Sequence, residues 1–134
     1  MLREIKEIDY PFVYEIIKNF IKTNLSVTFL ELPDYEEFKK TYFLNDFKRY
    51  IITNENAEDL GFVVITKGDE IGYFLKTECQ NRGIAVEAVR MTMELNPRKR
   101  YFATIHNENK RSINLAAKLG FKPKGTIYEK IIEE

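Results

Sequence analysis

The sequence predicts one α/β domain over residues 1–134, a mixed sheet with helices on its faces. Three observations predict it. The length of 134 residues suits one compact domain, for which about 100–200 are typical. The apolar spacing is helical in the N-terminal third and strand-like after Arg49. A strand–loop–helix–strand passage over residues 71–105 reads as a crossover unit, whose two strands would be parallel.

In chain order, Leu2 to Lys6 is expected to form a short strand. Asp9 can cap a helix, and Pro11 sits in its first turn, where a missing N–H is harmless. Val13, Ile16, Ile17 and Phe20 follow i, i+3, i+4, i+7 spacing and give that helix one apolar face. Lys22 to Pro33 reads as a loop with an apolar middle at Val27, Phe29, Leu30 and Leu32. Asp34 and Glu37 resemble a capping box, and Tyr35, Phe38 and Tyr42 form the buried face of a second helix.

Tyr50–Thr53, Gly61–Thr66 and Ile71–Leu75 then alternate as strands joined by short polar turns, an antiparallel meander. Ile84, Ala88, Met91 and Leu95 mark a helix that must stop before Pro97. Tyr101–Ile105 is expected to be a strand. Ile113, Ala116 and Ala117 mark the last helix, with Gly120 placed as a helix C-terminus prefers. Thr126 to Ile132 is expected to close the sheet as a final strand.

Composition narrows the function. Lys plus Arg and Asp plus Glu both total 21, so the net charge is zero and no broad nucleic-acid footprint is expected. No apolar run approaches the roughly 20 residues that span a bilayer, and the charged start Met1–Lys6 lacks a signal-peptide core. The expected compartment is the cytoplasm, with no membrane partner. One cysteine, Cys79, and one histidine, His106, cannot make a Cys/His zinc cluster, so no metal is expected.

The informative stretch is Gln80-Asn81-Arg82-Gly83-Ile84-Ala85, which follows a strand and opens a helix. The first turn of a helix has unpartnered N–H groups and partial positive charge, so it suits a phosphate. Gly83 lets an oxygen approach the backbone, Ala85 is small for the same purpose, and Arg82 can add charge. The stretch is not a P-loop, because Gly-Lys-Ser/Thr is missing, and it lacks the glycines of a dinucleotide fingerprint.

In this context the sequence resembles the GNAT superfamily of N-acetyltransferases, whose pattern Gln/Arg-x-x-Gly-x-Gly/Ala is matched by Gln80, Gly83 and Ala85. Glu70–Leu75 looks like the family's fourth strand. Asn109 to Phe121 is similar to its second cofactor segment, Asn-x-x-Ser…Lys-Leu-Gly-Phe. Both motifs, in order and one helix plus one strand apart, carry the resemblance. The Asn-x-x-Ser form resembles the branch that acetylates ribosomal-protein N-termini.

The resemblance implies a mixed, mostly antiparallel sheet of about six or seven strands with about four helices, strands four and five parallel and splayed. It implies acetyl-coenzyme A as co-substrate. Its pyrophosphate would rest on the amides from Gln80 to Ala85, including Asn81, Arg82, Gly83 and Ile84. Its pantetheine arm would pair with backbone near Phe74, Leu75 and Lys76, as an added strand does, with Asn109 on the other side. Transfer to an amine would be direct, in a ternary complex. A backbone N–H near Phe74 or Leu75 would stabilise the oxyanion, a contribution of about 3 kcal/mol. Cys79 is then expected to be a small loop residue and not a nucleophile.

Many family members place a tyrosine acid where this chain has Ala116. Ser112, one turn earlier on the same helix face, is the nearest substitute. The base is open among His106, Glu70, Glu31, Glu129 and a relayed water. The aromatic cluster Tyr10, Phe12, Phe29, Tyr35, Phe38, Tyr42 and Phe43 is expected to be mostly core, with a few rings at the amine pocket. The leading expectation is an N-acetyltransferase acting on a protein N-terminus or a small amine. A non-catalytic acyl-coenzyme A sensor is the second, and an interaction protein with no coenzyme affinity the third. Homodimerisation through a sheet edge is compatible with each.

Overall fold

The computed structural model describes residues 1–24 and 31–132. Strand β1 (Leu2–Glu4) leads through a 3-10 turn into helix α1 (Tyr10–Thr23), which buries Val13, Ile16 and Ile17 as the spacing requires. Asp9 occupies the N-cap position, yet its carboxylate does not cap the helix. It accepts instead from the Lys6 amide and from the Arg3 guanidinium, the stronger, charged donor. Lys22 and Thr23, expected in the loop, complete the last turn of α1. Val27, Phe29 and Leu30 lie outside the described residues.

Helix α2 (Tyr35–Thr41) starts as expected, with the Asp34 carboxylate accepting from the Glu37 amide at 3.0 Å. Phe38 is buried in a cage of rings from Tyr14, Tyr35, Tyr42 and Phe43. Strands β2 (Lys48–Thr53), β3 (Asp59–Ile65) and β4 (Ile71–Leu75) form the meander, and the sheet order is β1-β2-β3-β4, every pair antiparallel. Alternation sorts the side chains into two cores. Ile51, Phe62 and Phe74 stand in register on the face covered by α1 and α2. Ile52, Val63 and Ile71 face helix α3 (Ile84–Leu95). Helix α4 (Lys110–Lys118) lies beyond and ends in a left-handed Gly120, the amides of Gly120 and Phe121 returning to Ala117 and Ala116.

The expected α/β class with four helices is present, with fewer strands than expected: four among the described residues. Tyr101–Ile105 is not a strand. It touches the sheet through one parallel bridge, Glu70–Phe102, held by the Ile71 amide to the Phe102 carbonyl at 2.8 Å and the Phe102 amide to the Asp69 carbonyl at 3.1 Å. Beyond the bridge the two segments part, so no ladder forms. Thr126–Ile132 is not a strand either. Its alternating pattern meets no sheet edge among the described residues, and Tyr128 is 93% exposed. Among the described residues no helix is long and apolar enough to cross a membrane.

Candidate active site

The parting of β4 from residues 103–106 opens a cavity of about 560 Å³, walled by β4, the start of α3 and the inner face of α4. β4 presents a free edge to it. Glu70 pairs back to Thr66 on the β3 side, and the Lys76 amide donates to Leu60, whereas the Ile71 amide points the other way, to Phe102. By the alternation of an antiparallel ladder, the backbone groups of Tyr73 and Leu75 therefore face the cleft. The Lys76 amide is thus committed to β3, and Phe74 turns its backbone to β3 as well. Of the three backbone positions expected to hold a pantetheine arm, Leu75 is the one aimed at the gap, and Tyr73 joins it.

At the head of α3, Asn81 (φ 64°) and Gly83 (φ 77°) are both left-handed, and Gly83 is the N-cap. The left-handed conformation favours glycine at position 83. An added Cβ would meet nothing within 4 Å, so the backbone lies open to a ligand. Gln80, Asn81, Gly83, Ile84 and Ala85 all line the cavity, and the helix N-terminus supplies donors and partial positive charge to it. Arg82 is exposed and Lys76 is turned toward the Phe12 ring; neither side chain lines the cavity. Cys79 is buried in the turn before α3.

Across the cleft, the Asn109 carboxamide oxygen accepts from the Ser112 amide at 3.2 Å and caps α4, which leaves its Nδ2 for a ligand. The Ser112 hydroxyl lies 2.9 Å from the Tyr73 hydroxyl. Burial pushes the Tyr73 phenol up from its ordinary range, while the Ser112 hydrogen bond and the charge of Arg111 pull it back. Tyr73 was legible in the sequence only as one more apolar strand position.

His106 lines the cavity, and its Nδ1 accepts from the Glu108 amide at 3.1 Å. The Glu108 amide thus occupies the Nδ1 lone pair. Glu70 stands at the bridge where the segments part and lines this cavity and a second one. Glu31 lines only the second, and Glu129 is exposed in the C-terminal segment.

The second cavity, about 400 Å³, lies on the α1–α2 side of the sheet. Arg49, Val64 and Gly72 stand side by side in register across β2, β3 and β4 and form its floor. It shares Glu70, Ile71, Gly72, Phe74 and Thr104 with the first cavity, so the two meet at the splay point. Two chambers meeting at one gap can hold a long thin ligand on one side and its reaction partner on the other.

Comparison with known proteins agrees with this geometry. Residues 1–122 match the family model described as an acetyltransferase (GNAT) domain. No curated protein is similar to the chain in sequence. Among solved structures, a domain from Methanocaldococcus jannaschii DSM 2661 is 20% identical, with 96% of this chain and 92% of that one covered and a TM-score of 0.83. The spermidine N-acetyltransferase from Vibrio cholerae, in complex with CoA and spermine, is 19% identical over 100% of this chain and 87% of its own, with a TM-score of 0.79. RimL, a ribosomal α-N-protein acetyltransferase in complex with coenzyme A, is 20% identical over 92% and 80%, with a TM-score of 0.74. With a free strand edge, a left-handed glycine at a helix head and a family model spanning nearly its whole length, the chain belongs to the GNAT acetyltransferase family.

Proposed function

We propose that the protein is an acetyl-coenzyme A-dependent N-acetyltransferase acting on a primary amine in a ternary complex, in the cytoplasm. The observation that carries this reading is the cavity that joins the head of α3 to the unpaired edge of β4. The residues present fit the coenzyme. The open backbone at Gly83 and the amides of Asn81 to Ala85 would receive the pyrophosphate, and the cleft-facing backbone of Tyr73 and Leu75 the pantetheine arm. Bound there, the thioester supplies an activated acetyl group.

The chain's own groups do the rest. The Tyr73 or Leu75 amide offers a fixed donor to the carbonyl oxygen, where such a donor lowers a barrier by about 3 kcal/mol. Glu70, at the junction of both cavities, is placed to take a proton from an amine entering through the second. Ser112, backed by Tyr73, is placed to return a proton to the departing sulfur. Asn109 orients the arm through Nδ2.

Calorimetry of acetyl-coenzyme A against the purified protein tests the reading, with a dissociation constant in the micromolar range expected. Gly83→Glu puts a carboxylate and a strained φ at the phosphate position and should abolish the heat. Undiminished affinity in the variant, or no heat with the native chain at high micromolar ligand, overturns it. The alanine at position 116 favours one other reading, a sensor that binds the coenzyme without turnover. A thiol-release assay over a panel of amines separates the two.

A further inference from the structure

Arg49 is the one buried basic residue among the described residues, only 6% exposed, and it lines the second cavity. Its Nη2 donates to the Tyr42 carbonyl at 2.8 Å, but its buried Nε has no hydrogen-bond partner. Arg3, Arg90 and Arg98 each pair with a carboxylate; Arg49 has no such partner among the described residues. Its guanidinium is instead packed by rings, 4.3 Å from the Tyr42 centroid, 4.9 Å from Phe43 and 5.3 Å from Phe47.

Aromatic faces compensate a buried cation only in part, and the unsatisfied buried Nε–H adds to the imbalance. The ring packing also fixes the plane of the guanidinium. A guanidinium held in one plane, lining a cavity and without a carboxylate partner, matches the planar fork of a carboxylate. Gly72, in register with Arg49 through Val64, leaves the β4 end of the cavity floor without a side chain. At the β4 side of that floor stands Glu70, an acid suited to an ammonium group. The cavity thus carries one guanidinium, Arg49, on its β2 side and two carboxylates, Glu70 and Glu31, in its lining, and its volume of about 400 Å³ falls within the range for small ligands.

We infer that the acceptor is a small amine that also carries a carboxylate, an amino-acid-like molecule whose acid group pairs with Arg49 while its amine lies at Glu70. This rests on the acetyltransferase reading and names its substrate class.

The test is binding to the full-length protein saturated with coenzyme A. Calorimetry compares the twenty L-amino acids with their carboxamides and with spermidine. The best amino acid should bind about 100-fold more tightly than its carboxamide, the penalty for removing one partner of a buried charged pair. In Arg49→Gln that ratio should fall to within about threefold, and Arg49→Lys should restore part of it. Circular dichroism and acetyl-coenzyme A affinity check that each variant folds. If Arg49→Gln does not fold, the ratio measured on the native chain decides alone. Equal or tighter binding of carboxamides or spermidine, absence of binding by every amino acid, or an unchanged ratio in folded Arg49→Gln overturns the inference. Loss of acetyl-coenzyme A binding by the native chain would instead overturn the acetyltransferase reading.

Discussion

The hydroxyls of Tyr73 and Ser112 stand 2.9 Å apart and link β4 to α4 across the wall of the first cavity. One comes from the strand that loses its neighbour, the other from α4, one turn before Ala116. Burial holds the Tyr73 phenol above its ordinary value, so it keeps its proton at neutral pH and can reload Ser112.

The pair should therefore act as a unit in proton return. Tyr73→Phe and Ser112→Ala should each lower kcat by about tenfold to a hundredfold, with the KM for acetyl-coenzyme A little changed. The double variant should be no slower than the slower single. A phenol donates only below its own pKa, so the native rate should fall at strongly alkaline pH, and that limb should vanish in Tyr73→Phe. Steady-state thiol release across pH checks this. Multiplicative losses in the double variant would show that the two hydroxyls act separately.

Gly61 and Gly72 make a matched pair of tests for the strand that frames both cavities. Gly61 opposes Leu75, and a Cβ there would lie 2.1 Å from the Phe74 carbonyl oxygen and 2.9 Å from the Leu75 Cα. Backbone cannot yield cheaply, so Gly61→Ala must push β4 away. It should lose about 3 kcal/mol of stability, read from urea midpoints at constant m. A Cβ at Gly72 meets Val64 Cγ1 at 3.7 Å, an ordinary contact. Gly72→Ala should stay within about 1 kcal/mol of the native chain and weaken acceptor binding instead. Equal stability of the two variants would refute the close approach of β3 and β4.

What the sequence made legible follows from the range of the interactions involved. The span of α3, the Asp34 cap of α2 and Gly120 at the end of α4 rest on local rules, and the structure places all of them as expected; the left-handed Gly83 is a finding of the structure. The expected strands beyond residue 100 rest on pairing, which period alone cannot guarantee; Tyr101–Ile105 makes one bridge and Thr126–Ile132 none. The site was half legible. Gln80 to Ala85, Asn109 and Ser112 carry motif spacing, whereas Tyr73 and Arg49 sit in strand patterns that look like core and boundary. Their meaning comes from what faces them across the sheet: a hydroxyl on α4, and an empty floor at Gly72. His106 was a candidate base by residue type; the structure puts it on the cavity wall with the Glu108 amide on its Nδ1.

Asp9 links pH to stability. Its carboxylate is 4% exposed and accepts from Arg3 at 2.7 and 2.9 Å and from the Lys6 amide at 2.8 Å. The Arg3 hydrogen bonds hold its carboxyl below the usual carboxylate range against the opposing effect of burial, with the Lys6 amide and nearby positive charge adding to them. In the unfolded chain Asp9 takes up its proton near the ordinary value of about 3.9, and in the folded chain only at lower pH. The stabilisation is therefore fully present above about pH 4 and is lost as pH falls through the depressed folded value. Asp9→Asn removes charge-assisted hydrogen bonds that tie β1 to the start of α1, so it should lower stability at pH 7 by about 2 kcal/mol. The second contact of Arg3, with the half-buried Asp59 at 3.1 Å, should contribute much less because solvent screens it. Urea midpoints of native and Asp9→Asn protein at pH 7 and pH 3 check the sign: the gap between them should narrow in acid. A gap equally wide at both values would mean that the carboxylate acts through packing and not through its charge.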